Sequence, residues 1–234
     1  MTEDRSSMLT PRRRLLFGFF AALLTVGIAV SASPNVQAQS ALGAALGAEE
    51  LKLLREIEAY LNGISTLNSR FVQVTSEGAY AEGEVSLARP DRVRFEYDPP
   101  DPVLLISDGA RFIYYDKELE QATHLSLEDT PLWFIMREEV VFDDRIRVID
   151  LVRRGGSLYL TLEDARYPDL GQVTLLFSEG PLQLRRWDIR DPQGIVTEVA
   201  LIRPTFDQPI DREVFSIRQL PGMSPEEILR PQGR

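Results

Sequence analysis

The sequence predicts a mainly β chain: one large antiparallel sheet, or a half-barrel curled from such a sheet, with one amphipathic helix and one short apolar helix. Three observations predict it. From Arg92 to Tyr97, Val93, Phe95 and Tyr97 alternate with Arg92, Arg94 and Glu96, the period of a strand with one apolar and one charged face. In the second half, strand-like stretches recur at Arg145–Val152, Gly156–Leu162, Gly171–Phe177, Leu182–Ile189 and Ile195–Ile202, separated by turns rich in Gly, Pro and Asp. Helical spacing over several turns is confined to Glu49–Leu61, where Leu51, Leu54, Ile57 and Leu61 fall on one face.

The chain of 234 residues is long enough for one domain with a sizeable core. It opens with Arg12-Arg13-Arg14, an apolar run from Leu15 to Val30, and the small-residue pattern Val36-Gln37-Ala38. Residues 1–38 therefore read as an export signal. The competing reading, a transmembrane anchor, needs about 20 apolar residues, and this run has roughly 16. Pro11-Arg12-Arg13-Arg14-Leu15-Leu16 also resembles a twin-arginine signal, so both export routes stay open. The first 38 residues hold four arginines against Glu3 and Asp4, so the rest carries −12 against −10 for the whole. An acidic chain repels nucleic acid and anionic membrane surfaces, which excludes a nucleic-acid partner and fits an exported protein.

Residues 39–47 form an Ala/Gly-rich lead-in. The helix Glu49–Leu61 has acids at its N-terminus, and Asn62-Gly63 reads as its stop. Strand patterns then cover Thr66–Ala88, turning at Glu77-Gly78. After the Arg92–Tyr97 strand, three prolines among residues 98–102 end the ladder, since proline has no N–H to donate. Val103–Ser107 and Arg111–Tyr115 pair across Asp108-Gly109, a hairpin turn in which glycine accepts positive φ. This meander presents large apolar side chains on one face, and something must cover them. Gln121–Leu125 is a further short strand.

Thr130-Pro131-Leu132-Trp133-Phe134-Ile135-Met136 has N-cap candidates in Asp129 and Thr130, Pro131 in the first turn, and then five large apolar residues in succession. A helix that is apolar nearly all round is a buried core helix or a movable lid over an apolar hollow; both readings stand. Ile210–Phe215 suits one helical turn, and residues 221–234 a short terminal helix or a disordered tail.

Chemistry is sparse. His124 stands without a second His, and Cys is absent, so thiol catalysis, disulfides and thiolate metal sites are excluded. Glu138-Glu139 and Asp143-Asp144 pair carboxylates around Val140-Val141-Phe142, but not at the spacing of a calcium loop, and a solvated loop is the simpler reading. No nucleophile elbow, phosphate loop or dinucleotide fingerprint occurs. The residues point to a protein that is not an enzyme, uses no cofactor and no metal, and binds an apolar ligand.

Four segments carry a resemblance: R-P-D-R-V-R-F-E-Y from Arg89, L-L-I-S-D-G-A-R-F-I-Y-Y-D from Leu104, L-E-Q-A-T from Leu119 and T-P-L-W-F-I from Thr130. In this order and spacing they resemble the LolA family of periplasmic outer-membrane lipoprotein carriers, across residues 48–220. The resemblance implies a strongly curved, unclosed antiparallel half-barrel with short helices as a lid in its concavity. It implies a monomeric periplasmic carrier that takes acylated lipoproteins from an inner-membrane ABC-type release complex to an outer-membrane acceptor. A general binder of lipids and a sensor of mislocalised lipoproteins are alternatives on the same fold, and an adaptor working through its sheet edge is a third.

The resemblance also implies a latch, in which Arg89 enters the concavity and bonds lid carbonyls; a surface turn residue before Pro90 is the plainer alternative. The carbonyls are expected from the helix Leu132–Ile135 and from Leu51–Leu54, with Leu132 and Ile135 as the lid side of the latch. The lipid cavity is expected to be lined by Leu54 and Ile57 of the first helix, Val93, Phe95, Tyr97 and Leu105 of the strands, and Trp133, Phe134 and Met136 of the second helix. Val93 stands where some members carry an aromatic residue.

Overall fold

Eleven strands form one antiparallel sheet in the order β6-β5-β4-β3-β2-β1-β11-β10-β9-β8-β7. They are β1 Thr66–Thr75, β2 Tyr80–Ala88, β3 Arg92–Tyr97, β4 Val103–Asp108, β5 Phe112–Asp116, β6 Gln121–Leu125, β7 Ile146–Arg154, β8 Ser157–Asp164, β9 Gln172–Glu179, β10 Leu182–Arg190 and β11 Val196–Phe206. Helix α1 (Ala48–Gly63) precedes the sheet, and α2 (Trp133–Met136) lies between β6 and β7. The computed structural model describes residues 47–130, 133–218, 220 and 221. The export signal, most of the lead-in, Leu132 and nearly all of the C-terminal tail lie outside the described residues.

The order has a simple origin. Each strand pairs with its sequence neighbour through a short connection, except β6 and β7, which are the two edges. β11 returns to pair with β1, Phe71 opposite Leu201 and Val72 opposite Ala200, and so joins the two halves. The connection carrying α2 therefore runs from one edge of the sheet to the other. The edges stay unpaired with each other, and the sheet is an open half-barrel rather than a closed one. Its curl is evident in the core: Ile146, Val148 and Leu160 near one edge share a single apolar cluster with Val103 and Phe112 near the other, together with α1 and α2. Bulges at Asn68/Arg70 in β1, Leu184/Arg186 in β10 and Val148/Asp150 in β7 add local bend and twist.

Close packing at one glycine shapes the middle of the sheet. Gly83 sits between Phe71 of β1 and Tyr97 of β3. A Cβ there would lie 2.1 Å from the Glu96 carbonyl and 2.9 Å from the Phe71 ring. The missing side chain lets Phe71 lie edge-on to Tyr97, ring centroids 5.2 Å apart.

Two expectations need correction. α1 runs through Asn62 and Gly63 and stops when Ile64 turns extended, so Asn62-Gly63 is its last turn and not its stop. The β4–β5 hairpin is apolar on both faces. Val103, Leu105, Phe112 and Tyr114 face the main core, whereas Leu104, Ile106, Ile113 and Tyr115 form a second cluster on the other side with Ile217 and Leu220. That outer cover follows the 3-10 turn Arg212–Phe215, which Asp211 caps by accepting the Glu213 N–H at 3.0 Å.

Candidate functional site

The concave face is the candidate site, and its cover is built from α1 and the segment around α2. α1 forms because its apolar residues recur at helical spacing and Glu50 reaches back to accept the Gly47 N–H at 2.7 Å. It buries Leu54, Ile57 and Leu61 against the sheet. Near its C-terminal end the Tyr60 hydroxyl accepts the Leu184 N–H at 2.9 Å, at the β10 bulge. Tyr60 also meets Phe177 and Phe206 edge-on. Burial raises the Tyr60 phenol above its ordinary pKa, and the Leu184 N–H opposes that rise. All four side chains of α2 are buried, Trp133 at 6 % exposure and Phe134 at 3 %. Three guanidinium groups stand within cation–π range of the Trp133 ring: Arg166 at 4.8 Å, Arg145 at 5.1 Å and Arg137 at 5.4 Å from its centroid.

The structure brings the sequence-derived cavity residues together. Leu54, Ile57, Val93, Tyr97, Trp133, Phe134 and Met136 are buried members of one apolar cluster, and Phe95 and Leu105 pack against it. Side chains of the two helices thus fill the concavity. Tyr97 is aromatic on this face, yet its hydroxyl finds Gln73 Oε1 at 2.8 Å, and burial pushes the phenol well above its usual pKa. A cleft of about 290 Å³ opens beside the C-terminal half of α1, lined by Tyr60, Ile64, Leu182 and Phe206 among others.

Arg89, at the turn between β2 and β3, reaches both parts of the cover. Nε donates to the Arg137 carbonyl at 2.8 Å, Nη1 to the Leu61 carbonyl at 2.6 Å and the Ile64 carbonyl at 3.2 Å, and Nη2 to the Glu138 carbonyl at 3.1 Å and Asn62 Oδ1 at 3.3 Å. All five acceptors are uncharged oxygens. Burial, with no carboxylate to offset it, pushes the guanidinium below its ordinary pKa. The turn's backbone contributes as well, with the Asp91 N–H donating to the Met136 carbonyl at 3.0 Å and the Arg89 N–H to the Ser65 carbonyl at 2.9 Å.

The expected acceptors were Leu132–Ile135 and Leu51–Leu54; the acceptors found lie at and just beyond the C-terminal ends of the two helices. Leu132 is outside the described residues, and Ile135 is buried in the core instead. The physical reason is that the last carbonyls of a helix have no intrahelical partner and carry the negative end of its dipole, so a cation settles there. Arg89 in effect caps the C-terminus of α1.

Sequence reasoning missed Asn62 and Glu58. Asn62 Nδ2 donates to the Val140 carbonyl at 2.7 Å, and its Oδ1 accepts the Val140 N–H at 2.8 Å. One turn earlier, Glu58 Oε1 accepts the Phe142 N–H at 2.6 Å. The signal was faint: two polar residues four apart on the shoulder of an amphipathic helix. Of the paired acids, Asp143 accepts the N–H groups of Arg145 and Ile146 as a turn residue. His124 is exposed on the edge strand β6. Among the described residues no helix is long and apolar enough to cross a membrane.

Residues 62–218 match the profile of a family described as outer membrane lipoprotein carrier protein LolA. An outer-membrane lipoprotein carrier protein of Pseudomonas aeruginosa is 36 % identical over 193 residues, covering 78 % of this chain and 92 % of that one. A protein of the same description from Alkalilimnicola ehrlichii is 32 % identical over 190 residues, covering 78 % of this chain and 76 % of its own. The crystal structure of a LolA superfamily protein from Nitrosomonas europaea aligns over 69 % of this chain and 96 % of its own, at 11 % identity and a TM-score of 0.42.

Proposed function

Because the chain belongs to the LolA family, and the Pseudomonas and Alkalilimnicola relatives are described as outer-membrane lipoprotein carriers, we propose that it carries lipoproteins across the periplasm with their acyl chains held in the concavity of the half-barrel. It would accept them from an ABC-type release complex of the inner membrane and yield them to an acceptor at the outer membrane. The observation that carries this reading is the Arg89 latch: a cation beside an apolar concavity, held only by neutral oxygens of the two cover elements.

The magnitudes suit an exchange. Fully burying a large apolar side chain contributes about 1.5–3 kcal/mol, so the four side chains of α2 contribute roughly 6–12 kcal/mol to the closed state. A buried methylene contributes about 0.8 kcal/mol, so some 8–15 methylenes, on the order of one acyl chain, replace that burial. Binding is then the difference between two similar burials, and release needs no nucleotide at the carrier, only an acceptor with a more favourable hollow.

Depletion of the protein in its own cell tests this. Lipoproteins are expected to accumulate at the inner membrane; an unchanged distribution would overturn the reading. Co-purification adds a second arm: an acylated lipoprotein in the complex supports the carrier, and phospholipid alone would replace it with a general lipid binder.

A further inference from the structure

The cover has two kinds of fastening. Arg89 ties both of its parts to the sheet, with single bonds of the Leu184 N–H to the Tyr60 hydroxyl and of the Asp91 N–H to the Met136 carbonyl beside it, whereas Asn62 and Glu58 tie the two parts to each other. Asn62 meets Val140 as a neighbouring strand would, giving and taking one hydrogen bond. Glu58 continues the pattern two residues on, at the Phe142 N–H. α1 thus reads the backbone of 140–142 at alternate residues, with side chains one helical turn apart. Val140 itself is 1 % exposed, so parting α1 from this segment would strip two backbone groups of their partners in buried surroundings. Arg89 binds carbonyls from both sides of that seam, Leu61 and Ile64 on one and Arg137 and Glu138 on the other, and touches Asn62 Oδ1 at the seam itself.

We infer that Asn62 and Glu58 are positioning residues that clasp α1 to residues 137–142, so that the cover leaves and rejoins the concave face as one body released at Arg89. Two independently moving lids would leave backbone groups of the seam unpaired at each opening. A single body keeps them paired throughout; opening then frees only the bonds between cover and sheet, those of Arg89, of the Asp91 N–H with the Met136 carbonyl and of the Leu184 N–H with the Tyr60 hydroxyl, whose groups water can hydrate, while acyl chains cover the apolar concavity. The α1 end of this body hinges where Ile64 turns extended, just before Ser65, whose N–H and hydroxyl are anchored on Asp207 at 2.8 and 3.0 Å. The inference rests on the acyl-carrying reading above for its purpose, but not for its first test.

The chain has no cysteine, so paired cysteine substitutions can be spin-labelled without background. Lys52 on α1, Glu139 in the clasped segment and Glu84 on β2 are all exposed. In the free protein, Arg89→Leu is expected to broaden the 52–84 and 139–84 distances and leave the 52–139 distance as in the wild type. Asn62→Ala is expected to broaden 52–139 and to speed amide exchange at Val140 roughly tenfold, the scale of one lost bond of this kind. Glu58→Ala should act similarly at Phe142, whereas Glu58→Gln, which keeps an oxygen acceptor, should not; these variants keep the test open should Asn62→Ala fail to fold. A 52–139 distance that broadens in Arg89→Leu as much as the other two would overturn the inference. Adding a synthetic tripalmitoyl-cysteinyl peptide to the wild type should shift 52–84 and 139–84 while 52–139 holds. Bound peptide with a changed 52–139 distance overturns the clasp alone; peptide that does not bind overturns the carrier reading and leaves the free-protein result to decide the clasp.

Discussion

The half-barrel wears two covers, each tied by an arginine from the same short stretch of chain, and they are tied differently. Inside, Arg89 holds α1 and the residues after α2 through neutral oxygens only. Outside, Arg94 reaches the Val214 carbonyl at 3.4 Å, but its charge is met by Glu96 at 2.7 Å, which Lys117 shares at 3.4 Å. The outer cover is apolar and continuous with its cluster, Ile217 being 1 % exposed, and the Tyr115 hydroxyl secures its end on the Pro221 carbonyl at 2.9 Å. A cation satisfied by a carboxylate has no use for an exchange partner. One held by helix-end carbonyls can be released when something else fills the space beneath. On the proposed carrier reading, the difference leaves the outer cover as architecture and makes the inner one the part that moves.

Truncation of the covers should give the largest effects. Trp133→Ala and Ile217→Ala should both lower unfolding free energy, by about 3–5 and about 2–5 kcal/mol respectively, in chemical denaturation. They should part company with an acylated peptide: Trp133→Ala removes a competitor for the concavity and should tighten binding, whereas Ile217→Ala should leave affinity unchanged. Equal affinity in the two variants would erase the distinction between the covers.

The two arginines should separate next. Arg89→Leu leaves several carbonyls without their donor and should cost about 1–3 kcal/mol, with tighter retention and slower release of the acylated peptide in a stopped-flow transfer assay. Arg94→Leu removes a partly exposed ion pair, screened by solvent, and should cost at most about 1 kcal/mol with no change in release. Raising salt to about 1 M should shrink the Arg94 contribution more than that of Arg89, whose half-buried bonds pair no opposite formal charges.

The smallest effect lies at Asp91, beside the latch. Its backbone is left-handed, at φ 60°, and burial, aided by Glu128 and opposed by Arg92, raises its carboxyl above the ordinary value. The folded state therefore holds this proton more tightly than the unfolded chain, so stability from this group is present below the ordinary carboxylate range and falls as pH rises through the raised value. Asp91→Asn stays neutral and tolerates the same backbone conformation. It should raise the melting temperature slightly near neutral pH and remove that part of the pH slope; a melting curve unchanged at every pH would contradict this.

Much of this could be read from the residues, and the rest was hidden for definable reasons. Strand alternation, the Asp108-Gly109 turn and the apolar run 132–136 are local signals, and they placed the meander, a hairpin and the short helix. The two-faced burial of β4 was readable in principle, since Val103-Leu104-Leu105-Ile106 is an unbroken apolar run of the kind found in doubly covered strands. The position of Arg89 came with the resemblance, but its acceptors did not: they lie 48 residues away at Arg137 and 28 away at Leu61, and backbone carbonyls leave no mark in side-chain identity. Asn62 was hidden more deeply, because beside Gly63 it reads as a helix stop, while its amide works on Val140, 78 residues on.

The route of the chain has one further effect. The span carrying α2 joins the two free edges of the sheet, from Leu125 to Ile146. Some 20 residues, at about 3.3–3.6 Å each when extended, reach well over 60 Å. On the proposed reading, that length of chain lets the strap swing clear of the mouth without unpairing β6 from β5 or β7 from β8, so that the rim keeps its ladders whether the vessel is empty or full.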